Sequence, residues 1–528
     1  MSRERSTDPS PIFFTYGEAR PETERLALLG GALLLDSGEA DQTFLLRCQD
    51  RYVAYAWMFG LRPILLVEDE GQVGSLDDAI AALRNDCAQV TAATGLGGLF
   101  QIRNPLVFCC DLIDLTIRSL GPPSELQGPA VFHLNQVSPT AAAILLGVNR
   151  ELQMHGVSTA IDPARLRADS RNAMRFNDKV STATFTHACP TPAPPQLETR
   201  IMSIASLFAL EDWEALTAWF SAQPARVDGS IVIKSARDSG GNVAEVFSRE
   251  TFETSKRRLL DKIALSTGQN EKAAISALRA DIAASRLNAE SYSDARLLLF
   301  ETMRRERRAA LELLVQRWVP HAAPAPDMPA ACGMSFHVDE TSVSLIAVNG
   351  QAYHDRERHH FRGAQLDDRI HDHFARSSLL PQMMGLCRHF ASAGYRGPIS
   401  FDALREGSGY VLIDDCNPRL SAIMPTIALR RALADIGLQP ASLLSLGYRG
   451  ETLVPDLAAA LAALADAGLL YTRTTRSGIL PIPNMVRSGG VDLFVVDAPL
   501  AILDRAAPVL AEAGCHARIS SVIPGLSV

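Results

Sequence analysis

The stretch FDALREGSGYVLIDDCNPRLS occupies residues 401–421. Two apolar-rich runs, 398–404 and 410–416, flank Gly407, Ser408 and Gly409, which reads as two strands joined by a tight turn. Asp402 lies in the first run, while Asp415, Asn417 and Arg419 close the second. Side chains alternate along a strand, so Asp415 and Asn417 are expected on one face, where Asp402 of the paired strand meets them. Three oxygen donors would then converge, a set suited to a hard cation such as Mg²⁺. Arg419 adds a planar fork for a phosphate or carboxylate beside it. The same residue types, with Asp414 and Pro418, also open turns, so the hairpin alone leaves a purely local reading standing. Cys416 alternates to the opposite face and reads as packing.

Upstream, Leu379 to Gly394 has helical spacing and ends on a glycine suited to the left-handed position after a helix. Ser335 to Val348 reads as a strand hairpin after a Pro/Ala break at 320–331. Asp228 to Phe247 is another hairpin: Ile231, Val232 and Ile233 are β-branched, Ser235 to Gly241 is a polar loop, and Lys234 stands at their junction. A lysine there either reaches phosphate oxygens while loop amides bind others, or is simply exposed. From Arg249 to Leu314 the chain reads as charged and helical, with Arg304, Arg305, Arg307 and Arg308 on a solvated face. Four prolines within 189–195 break the chain just after Asn177, Asp178 and Lys179. Nearer the N-terminus, strand-like runs 63–67 and 131–134 alternate with a helical pattern over 138–153, with Ser138 as N-cap, which predicts an α/β layer structure. An Ala/Leu-rich helix from 455 to 470 opens a small C-terminal α/β segment.

The whole chain, 528 residues and 57.1 kDa, is too long for one compact core, and two or three domains are expected. With 47% hydrophobic and 21% charged residues it is not a disordered or fibrous chain. A formal charge of −8 gains nothing from phosphate neutralisation, so nucleic acid is not an expected partner. Nine cysteines without CxxC spacing suggest neither a disulfide framework nor a four-cysteine zinc site, and a reducing cytoplasm fits. No apolar leader and no uninterrupted apolar span of membrane length is read, so neither export nor membrane insertion is expected. The histidines at 354, 359, 360, 371 and 373 lack a fixed ligand spacing and read as a solvent-facing loop. Gly95 to Gly98 lacks the context of a dinucleotide turn, and neither a Walker-type sequence nor a nucleophile elbow occurs.

The order of the parts resembles the ATP-grasp superfamily: a lysine at 179, a second lysine before a glycine loop at 234, then an acid, Asn, Pro, Arg signature at Asp415, Asn417, Pro418 and Arg419. The resemblance covers roughly 173–430. It implies a nucleotide held between two antiparallel sheets, with ATP and Mg²⁺ or Mn²⁺ as cofactors. Lys179 and Lys234 would hold phosphates, and Ser235, Ser239, Gly240 and Gly241 would close over them. Gln316, Trp318 and Val319, within the hinge-like run 314–319, would line the base, with Gln316 where many members carry glutamate. Asp402, Asp415 and Asn417 would hold the metal, where glutamates are common at the two acid positions. Lys234 and Arg419 would assist phosphoryl transfer. The fold implied is an N-terminal α/β pre-ATP-grasp domain over 1–172 with a loose arm, an ATP-grasp region over 173–450 with a helical insertion near 250–314, and a small C-terminal α/β domain over 451–528. Within the superfamily the layout is similar to pheganomycin-type peptide ligases.

The activity implied is activation of a carboxylate as an acyl phosphate and its joining to an amine, in small-molecule or peptide natural-product assembly. Phosphoryl transfer needs positioning and charge neutralisation rather than a protein nucleophile, which suits these residue types. Arg362, Gly363 and Ser421 are candidates for the substrate side, and a homodimer is a candidate assembly. Two other readings stay open: transfer of the activated carboxylate to a carrier-protein or other thiol, and a nucleotide-binding regulatory protein without turnover.

Overall fold

The computed structural model describes residues 13–16, 24–28, 55, 57–67, 73–110, 117–120, 126, 129–134, 137, 139–190, 192–220, 229–236, 243–263, 312–319, 328–353, 361–420, 423–446, 457–484 and 490–514. Among the described residues there are three sheets, the first with six strands in the order β1-β6-β2-β3-β4-β5: β1 Phe14–Tyr16, β2 Glu24–Leu28, β3 Arg62–Val67, β4 Leu106–Cys110, β5 Ile117–Ser119 and β6 Ala130–Leu134. The central four run parallel and the two edges antiparallel. A parallel sheet needs cover on both faces. Along β3, Ile64 and Leu66 enter a core with the helix Pro139–Met154, whereas Leu65 enters another with the helix Val73–Thr94. Ser138, read as the cap of the former helix, lies outside the described residues.

The second sheet is small and wholly antiparallel, in the order β7-β10-β8-β9, with β7 Thr199–Ser203, β8 Ile231–Ser235, β9 Ala244–Phe247 and β10 Glu312–Arg317. Ile231, Ile233, Leu313 and Val315 bury one face in a core of its own with the helix Trp213–Phe220 and a helix over 252–263. Alternation therefore turns Lys234, Leu314 and Gln316 to the other face. The expected helical stretch 249–314 needs correcting: helix is described over 252–263, 264–311 lies outside the described residues, and Glu312 already begins β10. The run Leu313, Leu314, Val315 is satisfied by pairing with strands on both sides.

The third sheet is antiparallel with eight strands, β15-β14-β11-β12-β13-β16-β18-β17. These are β11 Ala331–Val338, β12 Val343–Tyr353, β13 Phe361–Asp367, β14 Gly397–Glu406, β15 Gly409–Asn417, β16 Ser442–Leu446, β17 Gly478–Asn484 and β18 Gly490–Val496. One face of its β11-β14-β15 end, with Cys332, Met334, Phe336, Phe401, Ala403 and Cys416, packs on the helix Leu379–Ser392 in the core that also holds Ile64 and Leu66. The opposite face carries Gly333, Ser335, Ser400 and Asp402, polar or lacking a side chain.

The segment expected as a small C-terminal α/β domain contributes β17 and β18 to this sheet. β16 would otherwise be an edge with Leu443, Leu444 and Leu446 buried beside open backbone groups, and β18 covers it. Pro481 and Pro483 fall on the outermost strand, where a missing N–H is tolerated. His371 and His373 lie on a helix, Asp368–Arg376, and not in a loop. Asp367 caps it, accepting from the Arg369 N–H at 2.8 Å, and Ile370 and Phe374 anchor it one turn apart. Among the described residues no helix is long and apolar enough to cross a membrane.

Candidate functional site

The polar face of the small sheet meets the end of β15. Lys234 Nζ donates to the Ile413 carbonyl at 3.2 Å, and Gln316 Nε2 lies 3.1 Å from the same oxygen. Gln316 Nε2 also lies 2.8 Å from Thr199 Oγ1 and 3.1 Å from Asp414 Oδ2, which sets its amide orientation and leaves its buried Oε1 with no protein partner among the described residues. The helix Lys179–His187 begins on Asp178, whose side chain accepts from the Ser181 N–H at 2.8 Å. Its first residue, the buried Lys179, donates its backbone N–H to Ala236 O at 2.7 Å, so the two lysine-bearing segments touch. Val180, Ala183, Ala236 and Leu314 seal that contact with a small apolar cluster.

The other end of this helix reaches a group that the sequence reading passed over. Asp414 is 4% exposed and accepts from Thr186 Oγ1 at 3.3 Å and from the Thr199 hydroxyl, with His187 Nε2 at 3.3 Å. It can occupy this position because β15 bulges. Phe401 pairs with Cys416 and Ala403 with Leu412, so Asp402 alone stands opposite Ile413, Asp414 and Asp415. Asp414 takes φ of 51°, a left-handed conformation that aspartate tolerates better than most side chains. The bulge removes Ile413 O from the ladder, and Lys234 and Gln316 satisfy it.

Regular alternation through Asp415, on which the expected convergence rested, therefore does not hold. Beyond the bulge the ladder resumes with Ser400 opposite Asn417, so Asn417, Ser400 and Asp402 share one face of the sheet. The Asp415 side chain lies outside the described residues. Arg419 follows in a tight turn, its N–H on Asn417 O at 2.7 Å. Its carbonyl accepts from Ser400 Oγ at 3.1 Å, and its Nη1 donates to Asn177 Oδ1 at 3.0 Å. The guanidinium is thus held beside the segment that carries Lys179.

Asp402 and Asn417 offer hard oxygen donors on one face, which is the chemistry of a Mg²⁺ or Mn²⁺ site that keeps water and substrate oxygens in its shell. Among the described residues no group of three or more His, Cys, Asp or Glu side chains gathers as an all-protein metal cage. Hydrogen bonding to Asp414 raises the His187 pKa against the opposing effect of partial burial.

The remaining expected positions are placed as follows. Ser235 is buried and donates its N–H to Val243 O at 2.9 Å. Trp318 donates its N–H to Ser230 O at 2.8 Å, and Val319 is buried with Leu197, Ala331, Leu404 and Val411. Gly363 has a packing reason: a Cβ there would lie 1.7 Å from the Ser445 carbonyl oxygen of β16. Ser239, Gly240, Gly241, Ser421 and the Arg362 side chain lie outside the described residues, as do His354, His359 and His360. Asp414 itself had a signal in the Asp-Asp doublet, because neighbouring strand residues point to opposite faces and one carboxylate must enter an interior or break the ladder. Thr199 had none, and Asn177 had only its place in the segment that carries Lys179.

No family model and no curated protein matches the chain. Among solved structures, it is similar to an ADP complex of N5-carboxyaminoimidazole ribonucleotide synthetase, with 10% identity, 95% of this chain and 98% of that chain covered, and a TM-score of 0.43. A biotin carboxylase from Campylobacter jejuni gives 10% identity, 93% and 91% coverage, and a TM-score of 0.41. D-cycloserine synthetase gives 14% identity, 71% and 98% coverage, and a TM-score of 0.31. At these identities and scores the likenesses are distant, and no activity is carried over from them.

Proposed function

We propose that the chain is an ATP-dependent ligase of the ATP-grasp type, which activates a carboxylate as an acyl phosphate and joins it to an amine. The observation that supports this most directly is the junction at the β15 bulge. There, Lys234 of the small sheet touches the strand whose end carries Asn417 and Arg419, and Arg419 is tied to the segment bearing Lys179. In this reading, cationic groups for a polyphosphate and oxygen donors for a divalent cation would meet between two antiparallel sheets. Residues 1–172 are then a pre-ATP-grasp α/β domain, 173–450 the catalytic region and 451–528 a small C-terminal domain.

Lys179 and Lys234 would bind phosphate oxygens, with Ser235, Ser239, Gly240 and Gly241 closing over them, while Gln316, Trp318 and Val319 would border the base. Asp402, Asp415 and Asn417 would hold Mg²⁺, which when bound neutralises phosphate charge. The Arg419 fork would bind the γ-phosphoryl group as a carboxylate oxygen forms its bond to phosphorus and the bond to ADP breaks. The amine nitrogen then attacks the acyl carbon, the carbon–oxygen bond to phosphate breaks, and a proton is lost from the amine. Arg362 and Ser421 are proposed for the acceptor side, in an assembly step of a small molecule or peptide.

The test is release of ADP and phosphate from Mg-ATP with pooled amino acids and short peptides, coupled to mass analysis. The expected result is ADP matched by a dehydrated conjugate and lost at least about 100-fold in Lys234→Ala and Asp415→Ala. ADP formed only with a thiol or carrier protein would transfer the assignment to thioester formation. Nucleotide binding without turnover in any pool would favour a regulatory binder.

A further inference from the structure

We infer that Gln351 is a positioning residue for Asp402 and makes the site select a small octahedral cation over Ca²⁺; this rests on the proposed role of Asp402 as a metal ligand. Gln351 Nε2 donates to Asp402 Oδ1 at 2.7 Å, although the two residues belong to β12 and β14, which do not adjoin. The strand between them is β11, so the contact crosses two strand spacings, on the order of 9–10 Å of sheet.

The residues of β11 under this contact permit it. The registers put Gly333 opposite both Asp402 and Asn349, and Ala331, two residues away on the same face, lies on the row of Gln351. At Gly333 a Cβ would lie 2.7 Å from Asn349 Oδ1, so the Asn349 side chain lies over this position and would have to shift for any larger residue. Glycine in a strand interior weakens the strand, and here it makes room for the Asn349 side chain beside the path of Gln351. Asn349 is itself fastened, donating Nδ2 to Gly350 O at 3.2 Å. The amide of Gln351 thus reaches Asp402 past the Asn349 side chain, across two small residues of β11.

The chemical consequence follows from which oxygen is engaged. An amide N–H on Oδ1 fixes the plane of the carboxylate and competes for that oxygen's lone pairs, which favours single-oxygen ligation over chelation. Mg²⁺ and Mn²⁺ accept single carboxylate oxygens in octahedral geometry, whereas Ca²⁺ takes more oxygens and uses both atoms of a carboxylate readily. Partners that orient a ligating group in this way commonly change metal affinity by about 10–100-fold when removed.

The experiment measures dissociation constants of Mn²⁺, Mg²⁺ and Ca²⁺ for the full chain in the presence of a non-hydrolysable ATP analogue, by calorimetry and by the electron paramagnetic resonance signal of unbound Mn²⁺. Gln351→Met is expected to weaken Mn²⁺ and Mg²⁺ binding by about 10–100-fold and to narrow the Mg²⁺/Ca²⁺ preference. Gln351→Asn keeps an amide but is one methylene too short, and is expected to behave likewise; it also serves if the Met variant folds poorly. Asp402→Asn is the reference. If it weakens binding while both Gln351 variants retain wild-type constants and selectivity, the inference is overturned. If Asp402→Asn also leaves binding unchanged, the metal role of Asp402 fails and the inference falls with it. A merely structural role for Gln351 would lower the metal-free melting temperature without altering the Mg²⁺/Ca²⁺ ratio, and that result too would overturn it.

Discussion

At the scale of single residues, Asp414 determines more of the site's geometry than the acids read as its ligands. It accepts from Thr186, Thr199 and Gln316, with His187 within hydrogen-bond distance, and so ties a helix end and two strands to the bulge. Asp414→Ala would leave buried donors without an acceptor, and a loss of about 3 kcal/mol is expected in urea unfolding. Asp414→Asn should lose less, since its amide oxygen still accepts. The same cluster predicts a pH dependence. Because the folded pKa of His187 is raised, the stability it contributes is fully present below its unfolded value of about 6.5 and is lost as pH rises through the folded one. The melting temperature of wild type should therefore exceed that of His187→Ala most at about pH 5.5, with the gap closing in alkaline buffer. A gap that widens with pH would contradict the assignment of the contact.

At the scale of elements, two joints can be tested. Strand β1 meets the helix Pro163–Phe176 where Tyr16 OH donates to Asp169 Oδ2 at 3.1 Å. Burial pushes the Asp169 pKa up to about 6, against the lowering effects of that hydrogen bond and of Arg165. A raised folded value means the protonated form is favoured on folding: the contribution is present below about pH 4 and lost as pH rises to about 6. Asp169→Asn, which keeps an acceptor for Tyr16, is expected to match wild type in acid. Above about pH 6 it should be more stable by on the order of 2 kcal/mol in urea unfolding. The second joint is β13 against β16. Gly363→Ala would drive a Cβ into the Ser445 carbonyl, so soluble yield and stability should fall before substrate affinity does. Normal stability with altered substrate KM would return Gly363 to the substrate side.

At the scale of the whole molecule, the small sheet has its own apolar core; one small apolar cluster, around Ala236 and Leu314, joins it to the helix Lys179–His187, and another, around Val319 and Leu404, lies where it meets the large sheet. The N-terminal and large sheets, by contrast, share two extensive cores. A lobe with a separate core can move as a body against the rest. Binding of Mg-ATP in the proposed cleft should therefore slow amide hydrogen exchange in 231–236, 312–319 and 410–417, leave 478–496 unchanged, and raise the melting temperature with nucleotide concentration. Equal protection across the C-terminal strands would place the nucleotide elsewhere.

Local pattern alone determined the strand pairs at 231–247 and 397–417, the helices at 139–154 and 379–392, and the positions of Lys234 and Arg419 at strand ends. In these segments alternation, β-branching and turn glycines all act over a few residues. Tertiary structure decided what such periodicity cannot encode. The β15 bulge breaks the alternation from which a shared face for Asp402 and Asp415 was read, and it forms because donors from 186, 187, 199 and 316 are brought to Asp414 by the fold. Likewise, β17 and β18 join the large sheet because β16 presents an apolar edge, a fact of strand order to which no local spacing responds. The contact of Gln351 with Asp402 crosses a third strand, and only the order of strands in the sheet brings the two residues together.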